Sequence, residues 1–338
     1  MKKNVLGIFG LFAVIFLITA IKNPDFISGY NMQNLIKWTS LFAIMSIGVA
    51  FVIITGGIDL SIGSVVGLMA VLLAFMLKVK GWSPAMAIVL TIAMSGLIGL
   101  VHGLLITKAK LQPFVVTLCG LLIFRSLGRW LTDNQSLGPV PLEDDIGYKN
   151  VDFINQLDFF FSGKIAITDS FNLPTPFIFL VVIGVAATFF LNRTIWGRYL
   201  LALGNNEEGA RYSGINTDNL KIVAYVICSF LAGVSGLLFA FELDSVQPAQ
   251  TGEFYELYAI AAAVLGGCSL RGGSGDILGV IIAAAVIRLI FNSINMLGIS
   301  THLEFAILGI VLLLGVIVDE FVKRYLAHRR IVQQQTSE

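Results

Sequence analysis

Apolar residues in this chain run in unbroken blocks, at residues 5–21, 34–54, 61–77, 84–107, 113–131, 174–192, 219–241, 254–268, 276–294 and 303–322. A bilayer core about 30 Å thick is crossed by roughly 20 helical residues, so the pattern predicts ten transmembrane helices. Hydrocarbon offers backbone amides no water, so each segment must close its hydrogen bonds internally, and the expected fold is an all-α integral membrane protein. The first block follows Met1, Lys2 and Lys3 and has no small-residue cleavage site before Lys22, Asn23 and Pro24. It is longer than a secretory h-region of roughly 7–15 residues and reads as a retained span. Residues 1–338 form one transmembrane domain on this reading, with two larger hydrophilic loops at 132–172 and 193–218.

Basic residues near span ends collect on the cytoplasmic side. Placing both termini in the cytoplasm puts most of the 22 basic residues there, among them Lys108, Lys110, Arg193, Arg198, Arg211 and Lys221. The acidic 132–172 loop then lies outside, and its run Phe159, Phe160 and Phe161 predicts a short interfacial helix.

The 193–218 loop contains a miniature helix with its own punctuation. Asn205 and Asn206 can cap it, Glu207 and Glu208 suit the positive end of the dipole, and Arg211 suits the negative end. Gly209, Ala210, Tyr212 and Ser213 complete the segment, and Gly214 can take the left-handed stop. Two turns fall well short of the roughly 12–15 residues at which isolated helices become marginal in water. Something must hold it: a groove on a cytoplasmic partner, or the chain's own membrane domain.

Two spans are joined by Thr55, Gly56, Gly57, Ile58, Asp59, Leu60, Ser61, Ile62, Gly63 and Ser64 with almost no polar spacer. Discontinuous helices are where transporters place irregular backbone, so Gly56, Gly57, Asp59, Ser61 and Gly63 are hinge or pathway candidates. The structural alternative is that Asp59 caps the helix starting near Ser61. A second break, with Gly272 inside it, repeats at Gly266, Gly267, Leu270, Gly273 and Ser274 the spacing of Gly56, Gly57, Leu60, Gly63 and Ser64, and alternation of the spans puts both at one cytoplasmic mouth. Arg288 and Asn292 share a helix face, able to line a wet passage or to pair with Asp59 or Glu304. His102 is expected to make an inter-helix hydrogen bond, Arg125 and Arg129 to snorkel to the outer interface, and Cys119, Cys228 and Cys268 to pack in the interior.

Composition agrees with lipid residence: 57% of the 338 residues are hydrophobic and 13% charged, against roughly 25% charged in soluble domains. A net charge of +1 gives no reason to expect a nucleic-acid partner. Gly163 and Lys164 are followed by Ile165 without the upstream glycine of a phosphate-binding loop, and no zinc-protease helix, nucleophile elbow or metal-ligand cluster is present in the sequence. Neither catalysis nor a resident cofactor or metal is expected. A permease driven by a separate ATPase fits; the rival is an ion-coupled secondary transporter or channel using Asp59 or Arg288.

Several stretches resemble the membrane subunit of ribose-type, carbohydrate-uptake ABC importers. They are Ile54 to Ser64, Gln112 to Leu118, Asn172 to Pro176, Gly197 and Arg198, Ala202 to Glu207, Ser213 to Asn216, Gln247 and Pro248, Tyr255 to Leu257, and Ala259 to Gly267. The resemblance implies a dimer of permease subunits in the bacterial inner membrane, cytoplasmic ATP-binding subunits that carry ATP and Mg, and an extracytoplasmic sugar-binding protein. It further implies that residues 204 to 216, from Gly204 onward, form the coupling helix, and it puts Phe114 and Thr117 with the pathway residues. Tyr258, Cys268, His102 and Cys119 stand where the family often carries Asp, Thr or Ser, Asn, and Gly. Were those positions to face the passage, the cargo would differ from ribose.

Overall fold

The computed structural model describes residues 3–140, 151–168, 171–243, 245–311 and 313. Among the described residues, seven helices are long and apolar enough to cross a membrane. They are α2 (Gly29–Ile54), α3 (Ile62–Ala74, continued by a π-helical turn over Phe75–Val79), α4 (Pro84–Thr107), α5 (Pro113–Leu131), α7 (Thr175–Arg193), α10 (Thr217–Glu242) and α12 (Ile277–Met296). Each matches one predicted block. The other three blocks are helical as well: α1 (Lys3–Lys22), α11 (Tyr255–Leu265), and a helix described over Thr301–Val311. The C-terminal part of the last block lies outside the described residues.

Helix starts follow the capping chemistry of the sequence. Ser28, Asn216 and Asp276 accept backbone N–H groups from the first turns of α2, α10 and α12, while Pro84 and Pro113 sit where the first helical amide would be unpaired anyway. The central helix α2 packs against α7, α10, α11 and α12. α10 lies along α4, where Ser95, Gly99 and Gly103 recur every four residues. A Cβ on Gly103 would come within 2.7 Å of the Ile222 backbone, so small residues set this close approach. α5 leans on α3 and α4 and leaves Phe114, Val115, Leu122, Ile123 and Trp130 exposed.

The 132–172 loop holds the expected short helix, α6 (Val151–Ser162), whose Ile154 and Phe161 are buried. It leads into a small antiparallel hairpin, β1 (Lys164–Thr168) with β2 (Phe171–Pro174), which an all-α expectation omits. Of the loop's acidic residues, Glu143, Asp144, Asp145 and Asp169 lie outside the described residues.

The 254–268 block is a larger departure. Only Tyr255–Leu265 is helical, about 16 Å of rise against a 30 Å core. The preceding stretch enters as irregular backbone wedged against α3, where added methyl groups on Gly63 and Gly67 would strike the carbonyls of Gly252 and Thr251. Arg125 supplies part of the missing hydrogen bonding: its guanidinium donates to the carbonyls of Ala249 (3.1 Å), Thr251 (3.4 Å) and Gly252 (3.0 Å). The snorkelling expectation for Arg125 is therefore corrected, because unpaired carbonyls at membrane depth compete for its donors. An antiparallel bridge between Leu137 and Val246 ties the same stretch to the 132–172 loop.

Candidate functional site

The predicted miniature helix exists, with shifted ends. α8 (Ile195–Asn205) carries Gly204 and Asn205 in its last turn, and α9 (Glu207–Tyr212) starts afresh. Asn206 is its cap, accepting the Gly209 N–H at 2.9 Å. Gly214 follows at φ +80° as the stop. The chain itself supplies much of what holds α9: Lys221 meets Glu207 at 2.7 Å, Arg211 meets Glu207 at 3.5 Å and Asp218 at 3.6 Å, and Ala210 is buried. A foreign groove is therefore not required for the helix to form. What remains free is a face carrying Glu208, Tyr212 and Ser213, with Tyr212 90% exposed.

Beneath α9, three segments distant in sequence converge. The Gly273 amide donates to the Ile54 carbonyl (2.9 Å) and the Asn205 side-chain amide donates to the Gly273 carbonyl (3.0 Å). A Cβ on Gly204 would strike the Ile54 carbonyl and the Gly273 amide, and one on Gly272 would come within 2.9 Å of the Gly56 nitrogen. Gly272 and Gly273 have φ of +86° and +76°, a region open mainly to glycine. The two glycine breaks thus lie at the same end of the molecule, joined through the α8–α9 corner. Gly266 and Gly267 sit just above, where Gly266 packs against the Val280 backbone. A cavity of about 1000 Å³ opens here between Thr55, Gly57, Gln112, Pro113, Arg211 and Tyr225.

Asp59 is buried beside the first break. Its Oδ1 accepts from the Ser61 amide (2.8 Å) and hydroxyl (2.6 Å), and its Oδ2 has no partner among the described residues. Ser61, not Asp59, holds the cap position of α3; the carboxylate closes a local turn instead. Gly63 faces Glu256 and Gly252. Phe114 is exposed at the start of α5, whereas Thr117 is buried and donates to the Pro113 carbonyl (2.9 Å). The structure therefore brings Gly56, Gly57, Gly204, Asn205, Gly272 and Gly273 together and leaves Thr117 inside a helix contact.

Arg288 and Asn292 line a second cavity, of about 400 Å³, at the opposite end of α2. Some 25 Å of helix separates Trp38 there from Thr55 at the junction. Arg288 pairs with neither Asp59 nor Glu304; its guanidinium lies over the rings of Trp38 (5.3 Å), Phe42 (4.7 Å) and Phe291 (5.2 Å), and aromatic faces take the place of a carboxylate. Lys37 and Glu242 form an ion pair in the same cavity, both nearly enclosed. Sequence reasoning missed Asn31, Asn34, Lys37, Trp38 and Glu242, although Asn31, Asn34 and Trp38 share a face at helical spacing.

His102 is buried against Phe124 with its Nδ1 unpartnered, not bonded across helices. Cys228 and Cys268 are buried as expected, but Cys119 is exposed on α5 because only one side of that helix is covered. Three of the four positions that depart from the ribose-type pattern, His102, Tyr258 and Cys268, are thus interior, so those changes repack neighbours rather than redraw an open surface.

The family described as branched-chain amino acid transport system / permease component matches residues 31–316. The chain is 35% identical to the ribose import permease protein RbsC of Escherichia coli (strain K12) over 318 residues, 94% of this chain and 93% of that protein. It is 36% identical to the ribose import permease protein RbsC of Bacillus subtilis (strain 168), covering 92% and 90%. Identity to the xylose transport system permease protein XylH of E. coli (strain K12) is 28%, covering 93% and 91%. No solved structure matches. Full-length coverage by such relatives, together with seven apolar helices, makes this a multi-pass protein of the bacterial inner membrane. The chain belongs to this family of transport permease components, among its ribose-type members.

Proposed function

We propose that the chain is the transmembrane subunit of an ATP-driven, binding-protein-dependent importer for a monosaccharide, ribose or a related sugar. Permease components of this family are not the hydrolytic subunits, so ATP and Mg belong to a separate cytoplasmic ATP-binding subunit. A second permease subunit, identical or related, completes the pathway, and an extracytoplasmic sugar-binding protein delivers cargo. Ten spans with both termini cytoplasmic and a single 1–338 domain complete the reading.

The observation that carries it is the junction under α9. Because Gly204 and Asn205 are keyed into Gly273 and Ile54, a push on the exposed Glu208 and Tyr212 face moves both glycine breaks at once. Alternating access then follows by linkage: α9 biases the outward and inward states only insofar as the ATPase grips it differently in each. Ion coupling fits less well, since Asp59 lies by the junction and Arg288 at the far cavity.

The test is transport. The full chain, co-reconstituted with the ATPase that co-purifies with it and a sugar-binding protein, should take up ribose or xylose into proteoliposomes only with ATP on the cytoplasmic side. Robust uptake by the lone chain in ATP-free vesicles would overturn the proposal.

A further inference from the structure

The cavity at the far end of α2 is lined by apolar and polar side chains together. Its walls are Leu35, Trp38 and Phe291 on the apolar side and Asn34, Asn292 and Arg288 on the polar side, with the Lys37–Glu242 pair at the rim. Its volume of about 400 Å³ lies at the small-molecule end of ligand pockets, roughly 300–1,000 Å³.

Hydrogen-bond capacity there is incompletely used. Asn31 and Asn292 exchange amide bonds, at 3.1 and 2.7 Å, which consumes one donor and one acceptor of Asn292 and leaves its second N–H free. Asn295 donates to the Phe291 carbonyl (3.1 Å) and keeps its oxygen. Asn34, half-buried, has no side-chain bond among the described residues. Arg288 has its faces against three rings, yet its Nε–H is buried without an acceptor. Buried donors left unpaired are costly, so an incoming acceptor gains more than it would at a hydrated surface.

The mixture identifies the ligand class. An acid would ask for donors alone. Here donors and acceptors alternate around flat apolar walls, the arrangement that suits a ring with hydroxyls on its edge and C–H groups on its face. Lys37 and Glu242 neutralise each other, and Arg288 is already met by ring electrons.

We propose that this cavity is a transient binding site for one neutral monosaccharide, its C–H face on Trp38 and Phe291 and its hydroxyls on Asn34, Asn292 and Arg288. The inference rests on the sugar-importer reading and adds to it a cargo contact within a single subunit, at the end remote from α9. Sugar would occupy it after leaving a delivering protein and before passing the glycine breaks.

The probe is ribose, xylose or glucose titrated into the full-length chain in lipid nanodiscs, read by tryptophan fluorescence and by calorimetry. At least one sugar should give a saturable change, the fluorescence part of it lost in Trp38→Phe. Asn34→Leu and Asn292→Leu should each raise Kd roughly tenfold; Asn34→Leu breaks no existing bond, so a folding defect in Asn292→Leu does not spoil the comparison. No saturable signal with any of the three sugars, unchanged Kd in Asn34→Leu, or saturation by glucuronate alone would overturn the site. Were the site to fail while ATP-driven uptake persisted, the importer reading would stand without it.

Discussion

Gly204→Ala is the smallest change that probes the junction. Gly204 has ordinary helical backbone in the last turn of α8, so alanine brings no torsional strain and by intrinsic propensity would stabilise the helix by about 1 kcal/mol. Against that, the new methyl abuts two backbone atoms that cannot rotate away, the Ile54 carbonyl oxygen and the Gly273 nitrogen. Those atoms are bonded to each other at 2.9 Å, so the methyl wedges the bond open. Overpacking costs about 1–3 kcal/mol, and a lost buried backbone bond adds about 1 kcal/mol. The net expectation is destabilisation of about 1–3 kcal/mol, a fall of a few degrees in Tm for a chain of this size, together with reduced sugar uptake. Thermal unfolding of the purified full chain in detergent, compared with Gly96→Ala, measures it; a Cβ on Gly96 meets nothing within 4 Å, so that control keeps the propensity gain and should melt at or slightly above the parent. Gly204→Ala melting at or above Gly96→Ala would refute the reasoning.

Arg125→Ala removes the donor to three carbonyls of the irregular stretch before α11, with an expected loss of roughly 1.5–3 kcal/mol and faster hydrogen exchange at residues 249–252; unchanged exchange would show that the stretch holds itself. Lys37→Met and Glu242→Gln each strand a charge whose side chain is only 13% or 10% exposed and should cost about 3–5 kcal/mol, with the double variant milder than either. Lys108→Met, by contrast, breaks a pair with side chains 59% and 30% exposed, and denaturation should move by less than about 1 kcal/mol.

Span positions were legible because lipid leaves little choice: long apolar blocks must be helices, and Ser28, Asn216, Asp276, Pro84 and Pro113 fix their starts. The glycine breaks were legible for the same reason, since paired glycines flanking Asp59 or preceding Asp276 suit no continuous helix. Alternation of the spans also put both at one end, but their direct contact was not legible. It depends on Gly204, whose role is to carry no side chain against two distant backbones, and such an absence leaves no mark in one sequence. Arg125 was misread because its acceptors are main-chain carbonyls. The support of α9 stayed open between a partner and the chain itself because Lys221 reaches Glu207 from the next helix, outside helical spacing. Asn34 and Trp38 sat in view on one face of α2, but only the fold sets Arg288 opposite them.

The orientation and attachment of α9 decide the account most directly. Tyr212→Cys, in a chain with Cys119→Ser so that Cys228 and Cys268 remain as buried thiols, places one reactive group on the exposed face of α9. In the assembled transporter it should crosslink to the ATP-binding subunit and resist an impermeant maleimide applied to intact cells. Labelling from outside the cell, or free labelling in inside-out vesicles with the ATPase bound, would contradict it.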